Sequence, residues 1–170
     1  MPDHRTPTVF LLPVLLAGGA CAGNVVAQGC EIVFTLTDLA SNGLSESVAL
    51  GDLDGDGDLD ALIANGANQP NTVWINDGNG TFTNSKQTLG NSLSKCVALG
   101  DLDGDGDLDA MVANGGPYNR VWTNDGNGIF ANSGQTLGTS NSTSVALGDL
   151  DGDGDLDAMV ANYGQPNTVW

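Results

Sequence analysis

The sequence predicts an all-β protein built from repeated four-stranded antiparallel sheets, and three observations lead to this fold class. The string Val-Ala-Leu-Gly-Asp-Leu-Asp-Gly-Asp-Gly-Asp-Leu-Asp-Ala occurs three times, beginning at Val48, Val97 and Val145. Short apolar or β-branched stretches follow each copy at matching positions, bounded by turns rich in Gly, Asn and Asp. No segment has the length and 3.6-residue apolar periodicity of a helix.

Four strands are expected in each repeat. The first is the Val-Ala-Leu-Gly segment, the second follows the Asp-rich run, the third carries a tryptophan, and the fourth follows an Asn-Asp-Gly-Asn-Gly turn. The later strands are expected at 61–64, 72–75 and 81–83, at 110–113, 120–123 and 129–131, and at 158–161. We expect the turn asparagines to supply left-handed backbone conformations.

A period of 48 or 49 residues with four strands per unit is typical of a β-propeller blade. An outer-type strand is expected near 32–36, and the third repeat stops at Trp170 in its third strand, which gives twelve strands or about three blade equivalents. Closed propellers generally have roughly four to eight blades. We therefore expect a partial or open propeller. Either the chain is truncated, which the ending within a motif favours, or several chains self-associate through open blade edges.

The three regularly spaced tryptophans, Trp74, Trp122 and Trp170, lie 48 residues apart in apolar strands. They could form a ring that stacks on a ligand, but their regular place in the repeat favours packing between blades.

The charge of the chain is concentrated in a few segments. The 170 residues include 21 acidic and four basic residues, with a net charge of −17, and fifteen of the acids are Asp in the three repeated runs. Four scattered basic residues cannot form the surface that nucleic acid requires, so no nucleic-acid partner is expected. The single histidine, His4, lies in a predicted signal peptide, and the three cysteines have no CxxC spacing. We therefore expect no enzyme activity from this chain.

The N-terminus has the pattern of an export signal. Arg5 precedes an apolar stretch over 9–17 that is too short for a transmembrane helix, which needs about 20 residues. We predict a signal peptide over 1–27 and a repeat region over 28–170, and hence a secreted or cell-surface protein. Lipoprotein anchoring at Cys21 is the less favoured alternative, because Gly18 stands where such motifs usually have Leu. Whether Cys30 and Cys96 pair stays open.

Each repeated run carries five carboxylates at alternate positions. Unpaired, they repel each other at a cost on the order of 1 kcal/mol per close pair in water. No basic residue lies nearby, so a hard divalent cation with six to eight oxygen ligands is the natural partner. The interspersed glycines permit the tight loop that such a site needs. Calcium is favoured over magnesium, whose geometry is stricter.

These motifs, together with Asn-Asp-Gly-Asn-Gly-x-Phe, resemble the FG-GAP/VCBS repeat family, which includes the blades of integrin α-chain propellers. The resemblance covers residues 31–170 and implies calcium in the loop between the first two strands of each blade, about three ions per chain. It implies side-chain ligands at Asp52, Asp54, Asp56 and Asp60, with Asp58 donating mainly its carbonyl. The corresponding residues are Asp101, Asp103, Asp105, Asp107 and Asp109, then Asp149, Asp151, Asp153, Asp155 and Asp157.

Other interpretations of the Asp runs are less favoured. An EF-hand needs a bidentate Glu at its twelfth position, where this chain has Ile63, Val112 or Val160. A thrombospondin-like array would place cysteines between the acidic runs. Metal-free acidic turns and a catalytic carboxylate pair are less favoured, because the dense alternation occurs in three near-identical copies.

Two functions are expected from these features. The first is a non-catalytic, calcium-stabilised adhesion or interaction scaffold whose ligand, a protein or a carbohydrate, the sequence does not identify. The second is an accessory propeller region of a larger secreted enzyme with its catalytic domain outside this chain. Fold class does not decide between them.

Overall fold

The computed structural model describes residues 44–116 and 118–170, and all regular structure within them is β. Eleven strands form three antiparallel sheets of four, four and three strands. This confirms the predicted fold class. The predicted signal peptide, Cys21, Cys30 and the expected strand near 32–36 lie outside the described residues.

The strands follow one another within each sheet in chain order. The first sheet contains β1 (Ser45–Gly51), β2 (Asp60–Asn65), β3 (Thr72–Asn76) and β4 (Phe82–Asn84). The second contains β5 (Ser94–Gly100), β6 (Asp109–Asn114), β7 (Arg120–Asn124) and β8 (Phe130–Asn132). The third contains β9 (Ser142–Gly148), β10 (Asp157–Asn162) and β11 (Thr168–Val169).

The first strand of each sheet begins earlier than its apolar residues indicate. β1 starts at Ser45, whose hydroxyl donates a hydrogen bond to Asn65 Oδ1 at 3.0 Å, and a register shift separates Ser45 from Ser47. The equivalent serines Ser94 and Ser142 make the same hydrogen bond in the other sheets. Polar side-chain pairing therefore extends these strands beyond the apolar pattern.

The asparagines of the turn between β3 and β4 do not act as expected. The left-handed conformations fall on Gly78 (φ 73°) and Gly80 (φ 81°), where no side chain opposes them. Asn76 Oδ1 instead accepts a hydrogen bond from the Gly80 N–H, and Asn79 Nδ2 donates to the Asp77 carbonyl. The prediction of left-handed asparagines is wrong in this turn, because the glycines take that role and leave the amides free to bond. It is confirmed at Asn68 (φ 59°), in the turn between β2 and β3.

The core lies between neighbouring sheets. Leu62 and Val73 of the first sheet pack with Val97, Val112 and Phe130 of the second. Met111 and Val121 on the other side of the second sheet pack with Val145, Ala158 and Val160 of the third. All six residues of β2 and of β6 are buried.

The tryptophans differ from sheet to sheet. Trp74 is buried against Ala61, Ile63 and Phe82, and Trp122 packs on the core between the first two sheets. Trp122 confirms the expectation of packing between blades, whereas Trp74 does not, because it packs against residues of its own sheet. Trp170 remains 46% exposed in the third sheet.

The first strands of the three sheets, β1, β5 and β9, are neighbours, as expected for the inner strands of propeller blades. Cys96 Sγ lies 4.0 Å from the hydroxyls of both Ser47 and Ser144, its equivalents in the other sheets. The outer faces of the first and third sheets are open: Leu50 is 59% exposed and Met159 is 51% exposed. The described residues thus form part of a propeller, with the sheets stacked but the ring not closed.

Candidate metal centre

The three Asp-rich runs form the loops between the first two strands of each sheet, in the same place in every blade. Gly51 pairs with Asp60, and the register repeats at Gly100 with Asp109 and at Gly148 with Asp157. Each Asp-rich run therefore starts directly after the glycine of the last strand pair and ends on the aspartate of that pair. We call residues 52–60, 101–109 and 149–157 the Asp loops.

The first aspartate of each loop folds the backbone around its own carboxylate. Asp52 Oδ1 accepts the Gly55 N–H at 2.8 Å, and Asp52 Oδ2 accepts the Gly57 N–H at 3.0 Å. Asp101 and Asp149 make the same pair of bonds. Gly55 and Gly57 have φ angles of 78° and 93°, which other residues rarely adopt. The Gly-x-Gly spacing is thus required by the loop geometry.

The last aspartate of each loop is an anchor to the sheet. Asp60 is fully buried; its Oδ2 accepts the Leu53 N–H at 2.9 Å and its Oδ1 accepts the Asn76 N–H at 2.8 Å. Asp109 repeats both bonds with Leu102 and Asn124 at the same distances. In these two sheets the carboxylate joins the start of the loop to the end of the third strand. The sequence pattern did not predict this role.

Three carboxylates converge in each loop. One oxygen from each of Asp52, Asp54 and Asp60 lies within 4.8 Å of the others, and the same positions converge in the other two loops. The equivalent sets are Asp101, Asp103 and Asp109, and Asp149, Asp151 and Asp157. The loops therefore bring together the first, third and ninth residues of each run.

The other two predicted ligands of each loop lie outside these triads. Asp56 Oδ1 accepts the Asp58 N–H at 2.9 Å, and both residues are exposed or half-buried. The Asp58 carboxylate lies against Gly78, in the turn between β3 and β4, and Asp107 lies likewise against Gly126. The side chains of Asp56, Asp105 and Asp153, and of Asp58, Asp107 and Asp155, are therefore not part of the convergent sets.

Three carboxylates of the first two loops, those of Asp54, Asp103 and Asp107, have a raised pKa. Loss of solvent around Asp54 and the negative charges of Asp60 and Asp56 raise the pKa of Asp54 above its ordinary value of 3.8. The pKa values of Asp103 and Asp107 are raised for the same two reasons. Keeping these carboxylates ionised and close together therefore costs free energy, and a bound cation would lower that cost.

The donor set fits a hard divalent cation. All converging donors are carboxylate oxygens, and an oxygen that accepts one N–H retains a second lone pair for a metal. Ile63, at the twelfth position of an EF-hand alignment, is a buried residue of strand β2. Val112 and Val160 occupy the same place in β6 and β10, so these loops are not EF-hands.

Two further residues connect neighbouring blades, and one of them bonds to an Asp loop. Asn124 Nδ2 of the second sheet donates to the carbonyl of Leu53, in the first Asp loop, at 2.8 Å. Gln87 Nε2 donates to the Gly128 carbonyl at 2.6 Å, and Gln87 Oε1 accepts the Phe130 N–H at 2.9 Å. Both residues recur at a spacing of 48, as Asn76 and Gln135. This repetition is the sequence signal from which their role could have been predicted.

The second and third Asp loops line an open cavity of about 320 Å³. Its walls include Asp101, Asp103, Leu156 and Asp155. The shape and charge of this surface thus depend on the conformation of both loops.

Among the described residues, none belongs to a helix long and apolar enough to cross a membrane.

Comparison with known proteins identifies the repeat. The family model of the FG-GAP-like repeat matches residues 52–112 and, again, residues 101–160. Each match begins at the first residue of an Asp loop and ends in the second strand of the following sheet. No curated protein matches the chain. The two matches span more than half of the sequence, and the chain therefore belongs to the FG-GAP-like repeat family.

Proposed function

We propose that this chain is an exported β-propeller segment that binds Ca²⁺ in its three Asp loops and acts as a non-catalytic scaffold for a protein or carbohydrate ligand. FG-GAP repeats indicate a propeller-like interaction scaffold. The proposal adds to this that the chain binds calcium, that it is exported and that its ligand is a protein or a carbohydrate.

The observation that carries the proposal is the convergence of three carboxylates at the same place in each loop. Hard oxygen donors, with glycines that let the backbone approach, suit calcium better than a transition metal. The remaining ligands of the first site would be Asp56 and the carbonyl of Asp58, with equivalents in the other loops. About one to three further oxygens would come from water or carbonyls, to reach the six to eight that calcium takes.

Calcium would act on structure through charge. A bound ion neutralises the converging carboxylates, among them Asp54 and Asp103, whose pKa is raised by loss of solvent and by neighbouring negative charge. This favours one ordered loop conformation. Since two loops line the cavity between the second and third sheets, ion occupancy would fix the surface presented to a ligand. Extracellular sites of this kind commonly have Kd values of about 0.1 to 1 mM.

Export is supported by the predicted signal peptide over 1–27 and by the family, whose repeats are typical of extracellular proteins. A secreted or cell-surface protein would meet calcium at millimolar concentration, which suits such sites. The non-catalytic part of the proposal is supported by repetition: three copies of one arrangement are what a structural element requires, whereas an active site is usually single.

Metal content tests the proposal directly. We expect about three Ca²⁺ per chain by metal analysis and calorimetric titration, and about two for the double variant Asp54→Asn/Asp56→Asn, since one loop loses two carboxylates. Asp77→Asn is the matched control. It removes the same kind of charge from the turn of the same sheet, and we expect it to retain all three ions.

Thermal unfolding gives an independent readout. EGTA should lower the melting temperature and expose apolar surface to a hydrophobic dye, and added calcium should reverse both changes. Melting curves at low salt that do not respond to calcium would contradict the metal assignment.

A further inference from the structure

The turn between β7 and β8 of the second sheet, residues 124–128, touches the Asp loops of two neighbouring blades. Toward the first loop, a Cβ added to Gly128 would lie 3.4 Å from Asp54 Cβ. Toward the second loop, the Asp107 carboxylate lies against Gly126. We call residues 124–128 the bridging turn, and we call the carboxylates that converge in the first and second Asp loops the first site and the second site.

Three hydrogen bonds run through the bridging turn from one site to the other. Asp109 Oδ1 of the second site accepts the Asn124 N–H at 2.8 Å. Asn124 Nδ2 donates to the Leu53 carbonyl, also at 2.8 Å. The Leu53 N–H in turn donates to Asp60 Oδ2 of the first site at 2.9 Å. Asn124 and Leu53 therefore link one converging carboxylate of the first site with one of the second.

This path of hydrogen bonds is shielded from water. The exposed fraction is 0% for Asp60 and Asp109, 1% for Leu53 and 5% for Asn124. A buried polar group that loses its partner is costly, because water does not replace the lost bond. The Asn124 amide has its acceptor only when the first loop holds Leu53 in place, and the Asn124 N–H has its acceptor only when the second loop holds Asp109 in place.

We propose that Asn124 couples the first and second sites, so that calcium binding by one Asp loop favours calcium binding by the other. This inference rests on the proposed function, since it requires that both loops bind calcium. Both loops hold the bridging turn in the same position, so the free-energy cost of ordering the shared residues is incurred once for two sites. Such coupling is reciprocal and typically changes affinity about 5-fold or more.

Calorimetric calcium titration of three chains measures the coupling. In all three the third Asp loop is silenced; in the second chain the second loop is silenced as well, and in the third chain the first loop is. Silencing replaces two aspartates of a loop with Asn, at positions that lie off the hydrogen-bond path: Asp54 and Asp56, Asp103 and Asp105, or Asp151 and Asp153.

The coupling factor compares the two-site chain with the two single-site chains. It is the product of the two association constants of the two-site chain, divided by the product of the two single-site constants. The titrations are done at about 0.15 M salt, because an ion in one loop weakens the electrostatic attraction of the next ion, and salt screens this opposing effect. We expect a coupling factor of about 5 or more.

The titrations separate this inference from the proposed function. Two bound ions with a coupling factor of 1 would overturn the coupling and leave the proposed function intact. Chains that bind no calcium would overturn both.

Substitution of Asn124 tests its role. Asn124→Ala removes the side-chain bond to the Leu53 carbonyl, and the coupling factor should fall to about 1. Asn127→Ala is the matched control in the same turn, because Asn127 is exposed and its Nδ2 donates to the Asp125 carbonyl within the turn. This control should retain the coupling factor, and equal factors in the two variants would contradict the role of Asn124.

Amide hydrogen exchange tests the path in chains that keep Asn124. When only the first loop is intact, calcium should slow exchange of the Asn124 N–H, although this residue belongs to the next sheet. When only the second loop is intact, calcium should slow exchange of the Leu53 N–H. Amide groups of the third sheet are the reference for global stabilisation. Protection confined to the intact loop, or equal protection in the third sheet, would overturn the proposal.

Discussion

Asp60 carries out a different task from the other carboxylates of its loop. It is fully buried, and its two oxygens accept the N–H groups of Leu53 and Asn76, while Asp54 is more open and makes one long bond to the Asp56 N–H. In the sequence the two residues have the same identity and the same alternating spacing. Burial and backbone partners distinguish them.

This difference can be measured without metal. In EGTA, Asp60→Asn should lower the free energy of unfolding by about 1–3 kcal/mol, because an amide nitrogen would face a buried N–H donor. Asp54→Asn should be neutral or stabilising, because it removes a repelling charge and keeps an oxygen acceptor. Chemical denaturation of both variants checks this, and equal losses would contradict the anchor role.

The raised pKa of Asp54 predicts a pH dependence with a defined sign. Without metal, the native chain binds this proton more tightly than the unfolded chain, so the contribution of Asp54 to stability is present at low pH and is lost as the pH rises through its raised pKa. The advantage of Asp54→Asn over the wild type in EGTA should therefore grow between about pH 4 and pH 7.

Calcium should reverse the sign of this pH dependence of stability, because a metal ion requires the deprotonated carboxylate. The increase in melting temperature on adding calcium should become larger as the pH rises over the same range. Asp77, whose pKa is lowered by the Asn79 and Thr81 N–H groups, is the control position, and Asp77→Asn should leave this calcium effect unchanged. A calcium effect independent of pH would contradict binding through these carboxylates.

At the scale of elements, the strands were the most predictable part. Short apolar or β-branched stretches bounded by turns rich in Gly, Asn and Asp located β2, β3, β6 and β7 to within a residue or two, because burial and turn conformation act locally. The early start of β1, β5 and β9 was missed. It depends on hydroxyl-to-amide bonds such as Ser45 with Asn65, between residues 20 positions apart.

The glycine at the end of the first strand of each sheet shows whether another sheet packs closely against that strand. A Cβ added to Gly51 would lie 2.6 Å from Leu108 Cδ1, and one added to Gly100 would lie 2.6 Å from Leu156 Cδ1. Gly148 has nothing within 4 Å of the same position, because it faces the open side of the third sheet.

Alanine substitutions should follow this pattern. We expect Gly51→Ala and Gly100→Ala to destabilise the chain by about 1–3 kcal/mol, since leucines of the next sheet must shift. Gly148→Ala should lie within about 0.5 kcal/mol of the wild type. Urea unfolding of the three variants tests the stacking order of the sheets, and equal effects at all three positions would contradict it.

At the scale of the whole molecule, the net charge of −17 is concentrated in the three Asp loops. Salt should therefore substitute in part for calcium, since the screening length falls from about 30 Å at 0.01 M to about 10 Å at 0.1 M. In EGTA, the melting temperature should rise by several degrees as NaCl is raised over this range. At saturating calcium the rise should be clearly smaller, and an equal rise would indicate that the loops bind no ion.

The sequence by itself determined the repeat, the strand order within each blade and the location of the acidic loops. These follow from local turn chemistry, apolar patterning and a spacing that is visible along the chain. Only the tertiary structure decided which carboxylates converge, since Asp52, Asp54 and Asp60 meet through hydrogen bonds to backbone groups that the loop itself positions. It also decided that Phe130 and Gln87 join neighbouring blades, because contacts between residues 43 positions apart depend on how the sheets stack.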